Sequence, residues 1–165
     1  MVAAVVLAAG ASSRFGTSPP KQAVFLPEVL RRLRAAAAIE EVVVVLGAHE
    51  VETDVRTVRC DEWERGPGAS LRCGLAALGA GVEAAVVVLA DGPELAPEAI
   101  ERVAAAWRDG SGDVVAASYA GVRGHPVLLA RAAWDSVPDE GARALEPVLV
   151  PCDDLGSPGD VDDRR

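Results

Sequence analysis

Three runs of hydrophobic residues divide the chain, and each is separated from the next by a segment that mixes polar and apolar positions. The runs are rich in Val and Ala and cover residues 2–9, 41–47 and 84–90. They show no strict alternation of apolar and polar residues, which is typical of central strands that helices cover on both faces. The pattern therefore predicts a buried, mostly parallel sheet.

The segments between these runs have the periodicity of amphipathic helices. Helices are predicted over residues 26–38, 70–78 and 97–107. Pro27 fits the first turn of the first helix. Shorter strands are predicted at residues 57–60, 113–118 and 148–150, a short helix or turn at 48–54, and short helical pieces at 130–136 and 141–146. Because strands and helices alternate almost from end to end, we expect one doubly wound α/β domain over residues 1–165.

Length and charge limit the classes of protein that fit. With 165 residues, half of them hydrophobic, the chain is long enough to bury a core of its own. The formal net charge of -9 argues against a broad nucleic-acid surface, because such a surface needs clustered Lys and Arg. The amino terminus lacks the charged region of a signal peptide, and no apolar stretch approaches the ~20 residues of a membrane span. We therefore expect neither secretion nor membrane insertion.

Three cysteines, Cys60, Cys73 and Cys152, lie far apart in the sequence. An odd number without C-x-x-C spacing fits neither a disulfide framework nor a zinc site. The reducing cytoplasm is therefore the expected compartment.

The first hydrophobic run ends in a glycine-bounded loop. Residues 10–16 read Gly-Ala-Ser-Ser-Arg-Phe-Gly, and Lys21, the only lysine in the chain, follows. Ligands of open α/β sheets bind at the carboxyl ends of the strands, where backbone N–H groups can face an anion. The loop has neither the G-x-G-x-x-G spacing of a dinucleotide site nor the Gly-Lys-Ser/Thr of a Walker loop. We interpret it as a phosphate-binding loop, although chance could also place the single lysine there.

Three other positions are candidates for chemistry, each with a simpler alternative. Asp91 follows the third run directly, and the next helix signal comes several residues later, which disfavours a capping role. Ser70 follows a glycine-rich turn and either caps a helix or helps to bind an anion or a base. His125 lies in a glycine-flanked basic loop that leads into another strand within residues 121–129, and holding the loop is a commoner role there than acid–base catalysis.

The chain also contains an ordered series of longer motifs. Leu7 to Gly16 match L-A-A-G-x-S-x-R-x-G, residues 63–74 match W-x-x-G-x-x-x-S-L-x-x-G, and residues 89–93 match L-A-D-x-P. Residues 124–128, the D-E-G-A-R stretch at 139–143 and D-V-D at 160–162 complete the series. Together these motifs resemble the nucleotidyltransferases of the molybdenum cofactor cytidylyltransferase and guanylyltransferase group. That group is related to the sugar-phosphate and methylerythritol cytidylyltransferases.

The resemblance implies a three-layer αβα domain with a Rossmann-like sheet, similar to nucleotide-diphospho-sugar transferases. It implies Mg²⁺-dependent transfer of a nucleoside monophosphate from a triphosphate to a phosphorylated acceptor, such as a molybdopterin-like cofactor, with release of pyrophosphate. The implied catalytic residues are Arg14, Lys21 and Asp91. The implied metal ligands are Asp91 and Asp162, with Asp160 as the nearest rival of Asp162. The implied nucleotide site is Leu7, Ala8, Ala9, Gly10, Ala11, Ser12, Ser13, Arg14, Lys21 and Ser70. The implied acceptor side is Arg123, Gly124 and His125.

By the same resemblance, Ala9 indicates which nucleobase the triphosphate carries. Relatives with Leu-Ala-Ala-Gly at this point tend to use CTP, and those with Leu-Ala-Gly-Gly tend to use GTP. A missing Cβ there lets a larger base approach the backbone. CTP is therefore expected, with GTP as an alternative. A non-catalytic nucleotide-binding or cofactor-chaperone protein is a second alternative, because residues 22–27 lack the family's glycine-containing turn and the T-P-E-D ending is missing. We expect a cytoplasmic monomer or weak homo-oligomer that binds no nucleic acid or membrane.

Overall fold

A seven-stranded mixed sheet forms the centre of the protein, seen here in a computed structural model that describes residues 1–10 and 21–156, with Lys21 described by its backbone only. The strands are β1 (Val2–Ala8), β2 (Ile39–Leu46), β3 (Arg56–Arg59), β4 (Ala84–Leu89), β5 (Val114–Tyr119), β6 (Val122–Ala130) and β7 (Val148–Pro151). The helices are α1 (Lys21–Arg34), α2 (Pro67–Ala76) and α3 (Pro97–Arg108). Short 3₁₀ helices cover Trp63–Arg65, Arg131–Ser136, Ala142–Ala144 and Asp153–Leu155.

The strand order is β3-β2-β1-β4-β6-β5-β7, with β1 at the centre of the predicted parallel core. Val5 of β1 lies between Val43 of β2 and Val87 of β4, and both pairings are parallel. All three side chains are at most 1% exposed. Continuous burial explains why these strands read as unbroken hydrophobic runs in the sequence.

Alternate residues of β1 belong to two different cores, which gives the domain its three layers. Ala4 and Val6 pack in one cluster with residues of α1 and α3, including Leu33 and Ile100. Ala3 and Val5 pack in the second cluster with residues of α2, including Leu71 and Leu75. The predicted three-layer α/β domain is confirmed.

The strand predicted within residues 121–129 is present, but it already begins at Val122, so the predicted basic loop lies almost entirely inside β6 and that part of the prediction is wrong. β6 is antiparallel to both β4 and β5, and the turn between β5 and β6 places Ala120 and Gly121 at positive φ. The β5–β6 register shifts between Ala116 and Ser118. Glycine and proline are loop signals, but here they occupy an irregular part of a paired strand.

The start of α1 also differs from the prediction. The helix begins at Lys21 rather than Leu26, so Pro27 lies in its interior and not in its first turn. The polar pair Lys21 and Gln22 hides this start from the hydrophobic periodicity. α2 likewise begins at Pro67, with Gly66 as its N-cap, so Ser70 is not a capping residue.

A disulfide joins Cys60 to Cys73, which contradicts the expectation from the odd number of cysteines. The two Cα atoms are 5.9 Å apart, because the end of β3 lies beside α2. Cys152 is a free thiol and is fully buried. Spacing in the sequence could not reveal this pair, since the fold alone brings the two cysteines together. Among the described helices, none is long and apolar enough to cross a membrane.

The disulfide should make a measurable contribution to stability. Its half-cystines are 13 residues apart, and a closed loop of that size stabilises a protein by about 3 kcal/mol. Reduction should therefore lower the Tm by roughly 6–12 °C for a domain of this size. Thermal unfolding with and without a phosphine reductant measures the change. The Cys60→Ser/Cys73→Ser variant is the control, because reductant should not shift its Tm further; an unchanged wild-type Tm would contradict the prediction.

Candidate active site

The carboxyl ends of β1 and β4 meet at one edge of the sheet. The Ala90 amide donates to the Leu7 carbonyl at 3.0 Å, which holds the two strand ends side by side. The Ala48 amide donates to the Ala9 carbonyl at 3.1 Å, which joins the end of β1 to the end of β2. The start of the predicted phosphate-binding loop and the segment that carries Asp91 are therefore neighbours.

The first part of that loop is anchored to α1. Ala8 and Ala9 are buried and Gly10 is exposed. Gln22 donates from Nε2 to the Gly10 carbonyl at 2.9 Å, so the first turn of α1, which Lys21 opens, lies close to the end of β1. Gln22 is 5% exposed, and its Oε1 has no hydrogen-bond partner in the described structure. The prediction missed Gln22, although a polar residue beside Lys21 was a possible signal.

Several predicted site residues cannot be compared with the structure. The side chain of Lys21 lies outside the described residues, as do Ala11, Ser12, Ser13, Arg14, Asp160 and Asp162.

Asp91 lies at the edge where a metal would be expected. It follows β4 by two residues, it is 9% exposed, and the Gly92 amide donates to the Leu89 carbonyl at 3.2 Å to form a turn around it. A carboxylate is a hard oxygen donor of the kind that Mg²⁺ and Mn²⁺ prefer. No group of three or more potential ligands occurs within residues 1–10 and 21–156. The donor that is present fits an ion that takes its remaining ligands from phosphate and water.

Ser70 lies one turn inside α2 and is 3% exposed, so it is further from open solvent than a capping residue would be. Next to this segment, Gly47 allows a close contact between Trp63 and the end of β1. A Cβ at Gly47 would come within 2.6 Å of Trp63 Cγ and 2.7 Å of the Ala9 carbonyl oxygen. Trp63 and Ala9 are therefore neighbours at the end of β1.

A cavity of about 430 Å³ opens beside β1, β4 and β6. Its apolar part includes Leu7, Leu71, Val87, Leu89 and Val127. Its polar and charged part includes Arg123, His125, Glu140 and Arg143, and Gly124 also lines it. The structure therefore brings the three predicted acceptor-side residues together with Leu7. Ser70 and Asp91 are not among the residues that line it.

The segment of residues 137–145, here called the strap, forms one wall of this cavity. Arg123 holds one end of the strap by donating to the carbonyls of Ala142, Arg143 and Leu145 at 3.1, 3.3 and 2.7 Å. The predicted acceptor-side arginine therefore contacts main-chain oxygens of its own protein.

The other end of the strap is fixed to α2. Arg72 donates to Asp139 Oδ1 at 2.5 Å and to the Val137 carbonyl at 2.8 Å, and the Gly68 amide donates to the Asp139 carbonyl at 2.9 Å. The hydrogen bond from Arg72 lowers the pKa of Asp139, and the nearby charge of Arg65 acts in the same direction. Sequence reasoning recognised the D-x-G-A-R motif here but did not find that its Asp anchors the strap.

The backbone at His125 is held by Tyr119, whose hydroxyl donates to the His125 carbonyl at 2.8 Å. A Cβ at Gly124 would approach Tyr119 Cε2 to 2.9 Å, so glycine allows the tyrosine ring to lie against this part of β6. Burial raises the pKa of Tyr119, and the nearby Cys152 adds to the effect, so the hydroxyl stays protonated as a donor. His125 thus has a fixed backbone at the cavity wall.

Comparisons with known proteins show the family and the fold of this chain. The model of the MobA-like NTP transferase domain matches residues 4–148. The crystal structure of Rv0371c from Mycobacterium tuberculosis H37Rv is 26% identical, with a TM-score of 0.77, and the match covers 98% of this chain and 93% of that one. A nucleotidyl transferase from Methanothermobacter is 25% identical, with a TM-score of 0.70 and coverages of 86% and 78%. No curated protein matches.

A manganese complex of Rv0371c is also similar in fold, with 23% identity, a TM-score of 0.67 and coverages of 91% and 88%. The family match extends from β1 to the first residue of β7 and so includes the sheet edge, Asp91, the cavity and the strap. The resemblance found in the sequence motifs is confirmed. The chain belongs to the MobA-like NTP transferase domain family and is a nucleotidyltransferase.

Proposed function

We propose that this nucleotidyltransferase transfers CMP from CTP to a phosphorylated small molecule and releases pyrophosphate with the help of Mg²⁺. One observation carries the proposal: the nearly buried Asp91 lies at the same sheet edge as the loop that begins at Gly10, and Leu7 and Leu89 of the two strands that end there line a cavity with two arginines. A triphosphate, a divalent cation and an anionic acceptor are the ligands that suit these three features.

In the proposed reaction a phosphate oxygen of the acceptor attacks the α-phosphorus in line, and the bond from that phosphorus to the pyrophosphate oxygen breaks. No side-chain nucleophile is required. Catalysis then depends on positioning the two substrates and on neutralising the negative charge that accumulates on the departing pyrophosphate. In this proposal the backbone amides from Ala9 to Ser13 bind the triphosphate. Arg14 and Lys21 neutralise the negative charge of the pyrophosphate as it leaves.

Asp91 would hold the divalent cation together with Asp162, or with Asp160 in its place. A bound Mg²⁺ would neutralise the phosphate oxygens and align them for attack. The manganese complex of Rv0371c supports a divalent ion in this family. Ser70 and the adjoining backbone of α2 would help to hold the nucleobase. Because Ser70 is buried, it would do so by shaping the site.

We assign the acceptor side to Arg123, Gly124 and His125, which line the cavity. An apolar floor with cations at its rim suits a flat, largely apolar molecule that carries an anionic group. A phosphorylated pterin, as in molybdenum cofactor biosynthesis, has flat ring faces for the apolar floor, polar ring atoms at its edge and an anionic phosphate for the cations. We place the reaction in the cytoplasm, in a monomer or weak homo-oligomer, where the Cys60–Cys73 bond would be exposed to reducing agents.

The preference for CTP is assigned to Ala9. Its side chain is buried in the same cluster that packs Trp63, so its methyl group helps to define the space beside the loop. Removal of this methyl group should open space for a larger base. GTP is the corresponding alternative substrate.

The test is pyrophosphate release with each of the four nucleoside triphosphates, Mg²⁺ and a panel of phosphorylated acceptors that includes molybdopterin. We expect the highest kcat/KM with CTP.

Ala9→Gly should shift the ratio of CTP to GTP activity by about tenfold or more toward GTP, the range expected for a small change in pocket size. Ala105→Gly, at an exposed position of α3, controls for the loss of a methyl group elsewhere. A wild-type preference for GTP would contradict the CTP assignment.

A further inference from the structure

We infer that Arg143, rather than Arg123, binds the phosphate group of the acceptor, and that this acceptor is a phosphate monoester with an apolar body. The inference rests on the proposed function and specifies its acceptor side. The observation behind it is that the two arginines of the cavity lining have different surroundings.

Arg123 uses its guanidinium to hold the strap. Its Nη1 donates to the carbonyls of Arg143 and Leu145, and its Nη2 donates to the carbonyl of Ala142. A phosphate that took these donors would leave three strap carbonyls without them, and unpaired polar groups in a partly buried site are costly. Arg123 is therefore a positioning residue, although the sequence suggested that it contacts the acceptor.

Arg143 is exposed and lines the same cavity. No hydrogen bond or ion pair engages its side chain within the described part of the protein. A guanidinium offers five N–H donors in a planar fork, which matches two oxygens of a phosphate group. All five donors of Arg143 are thus available to a ligand, whereas the strap already uses three of the five donors of Arg123.

The strap also fixes the backbone from which Arg143 projects. Arg72 and the Gly68 amide hold its first residues, Arg123 holds its last ones, and Arg143 lies in a 3₁₀ turn closed by the Ala144 amide and the Gly141 carbonyl at 3.1 Å. A side chain on a fixed backbone loses less conformational freedom on binding than one on a mobile loop. This fixation favours specific binding of an anion over a loose surface attraction.

The rest of the lining indicates the body of the ligand. Val87 and Val127 face each other across the β4–β6 pair and line the cavity together with Leu71. Glu140 is the carboxylate of this lining, so the two arginines leave an excess of positive charge. Leu89 lines the cavity and Asp91, two residues later, does not, so the carboxylate assigned to the metal is near this cavity in the chain but is not part of its lining. A monoester with one charged end and an apolar ring matches the cavity.

Phenyl phosphate is a suitable probe, because it combines a monoester with a small ring and needs no turnover. Its Kd, measured by calorimetric titration of the full chain, should rise by roughly tenfold or more in Arg143→Gln, as expected for the loss of a charge-assisted hydrogen bond. Arg143→Lys should restore part of the affinity. Arg108→Gln is the matched control, since Arg108 is an exposed arginine at the end of α3, and it should bind phenyl phosphate like the wild type. An unchanged Kd in Arg143→Gln would overturn the inference.

A second titration with CTP and Mg²⁺ separates the acceptor side from the triphosphate side. Arg143→Gln should leave the Kd for CTP unchanged; weaker CTP binding with normal phenyl phosphate binding would overturn the inference. Failure of the proposed function has a different signature, namely no pyrophosphate release by the wild type with any acceptor. If turnover is observed, Arg143→Gln should raise the KM for the acceptor without raising the KM for CTP, and an unchanged KM for the acceptor would contradict the assignment.

Discussion

Replacing Asp91 with asparagine is expected to lower the rate of pyrophosphate release by about 10³-fold, the upper part of the range for loss of a group that stabilises transition-state charge. The amide keeps the size of the side chain but lacks the negative charge that a divalent cation needs. Because Asp91 is only 9% exposed, solvent screens its charge less than it would at an open surface, so the loss of that charge should have a large effect. The measurement is steady-state turnover at high CTP concentration over a series of Mg²⁺ and Mn²⁺ concentrations.

The control for this variant is Asp109→Asn. Asp109 is the exposed C-cap residue of α3. This helix begins near the carboxyl end of β4 and runs back toward the amino ends of the strands, so Asp109 lies away from the candidate site. Its substitution should leave turnover unchanged. Thermal unfolding of both variants separates a loss of chemistry from a loss of fold. Undiminished turnover in Asp91→Asn would exclude the assigned metal role.

The sequence revealed those elements whose burial is uniform. β1, β2 and β4 are covered on both faces, so their hydrophobic runs identified them directly. The positions of Gly10 and Asp91 followed from a rule about the carboxyl ends of parallel strands, which needs only the correct assignment of those strands. The central sheet and the location of the candidate site could therefore be predicted from the amino-acid sequence alone.

Features that depend on which segments meet in space could not be predicted. The Cys60–Cys73 bond needs the end of β3 beside α2, and no spacing rule contains that information. The same limit applies to the two arginines of the cavity. Arg123 and Arg143 are chemically equivalent in a sequence, and only the reach of one guanidinium to the strap carbonyls distinguishes their roles.

Gly68→Ala is expected to destabilise the protein by about 3 kcal/mol, the upper part of the usual range for overpacking. Gly68 is in α2, where alanine would by helix propensity alone stabilise the protein by up to about 1 kcal/mol. However, its Cβ would lie 1.6 Å from the Pro138 carbonyl oxygen and 2.6 Å from the Pro138 carbonyl carbon, and backbone atoms cannot rotate out of the way. The strap would have to move, which would break the bond from the Gly68 amide to the Asp139 carbonyl. The sign of the change in stability therefore distinguishes close packing of the strap from simple helix propensity.

Gly79→Ala is the matched control, because a Cβ at Gly79 would have no neighbour within 4 Å. We expect its free energy of unfolding to stay the same or rise by up to about 1 kcal/mol, since alanine restricts the unfolded chain. Denaturant unfolding of the two variants measures both changes, and a stabilised Gly68→Ala would show that the strap does not pack against α2 as described.

A displaced strap also carries Arg143 away from the cavity. Gly68→Ala should therefore weaken phenyl phosphate binding under conditions where the variant is still folded, whereas Gly79→Ala should not.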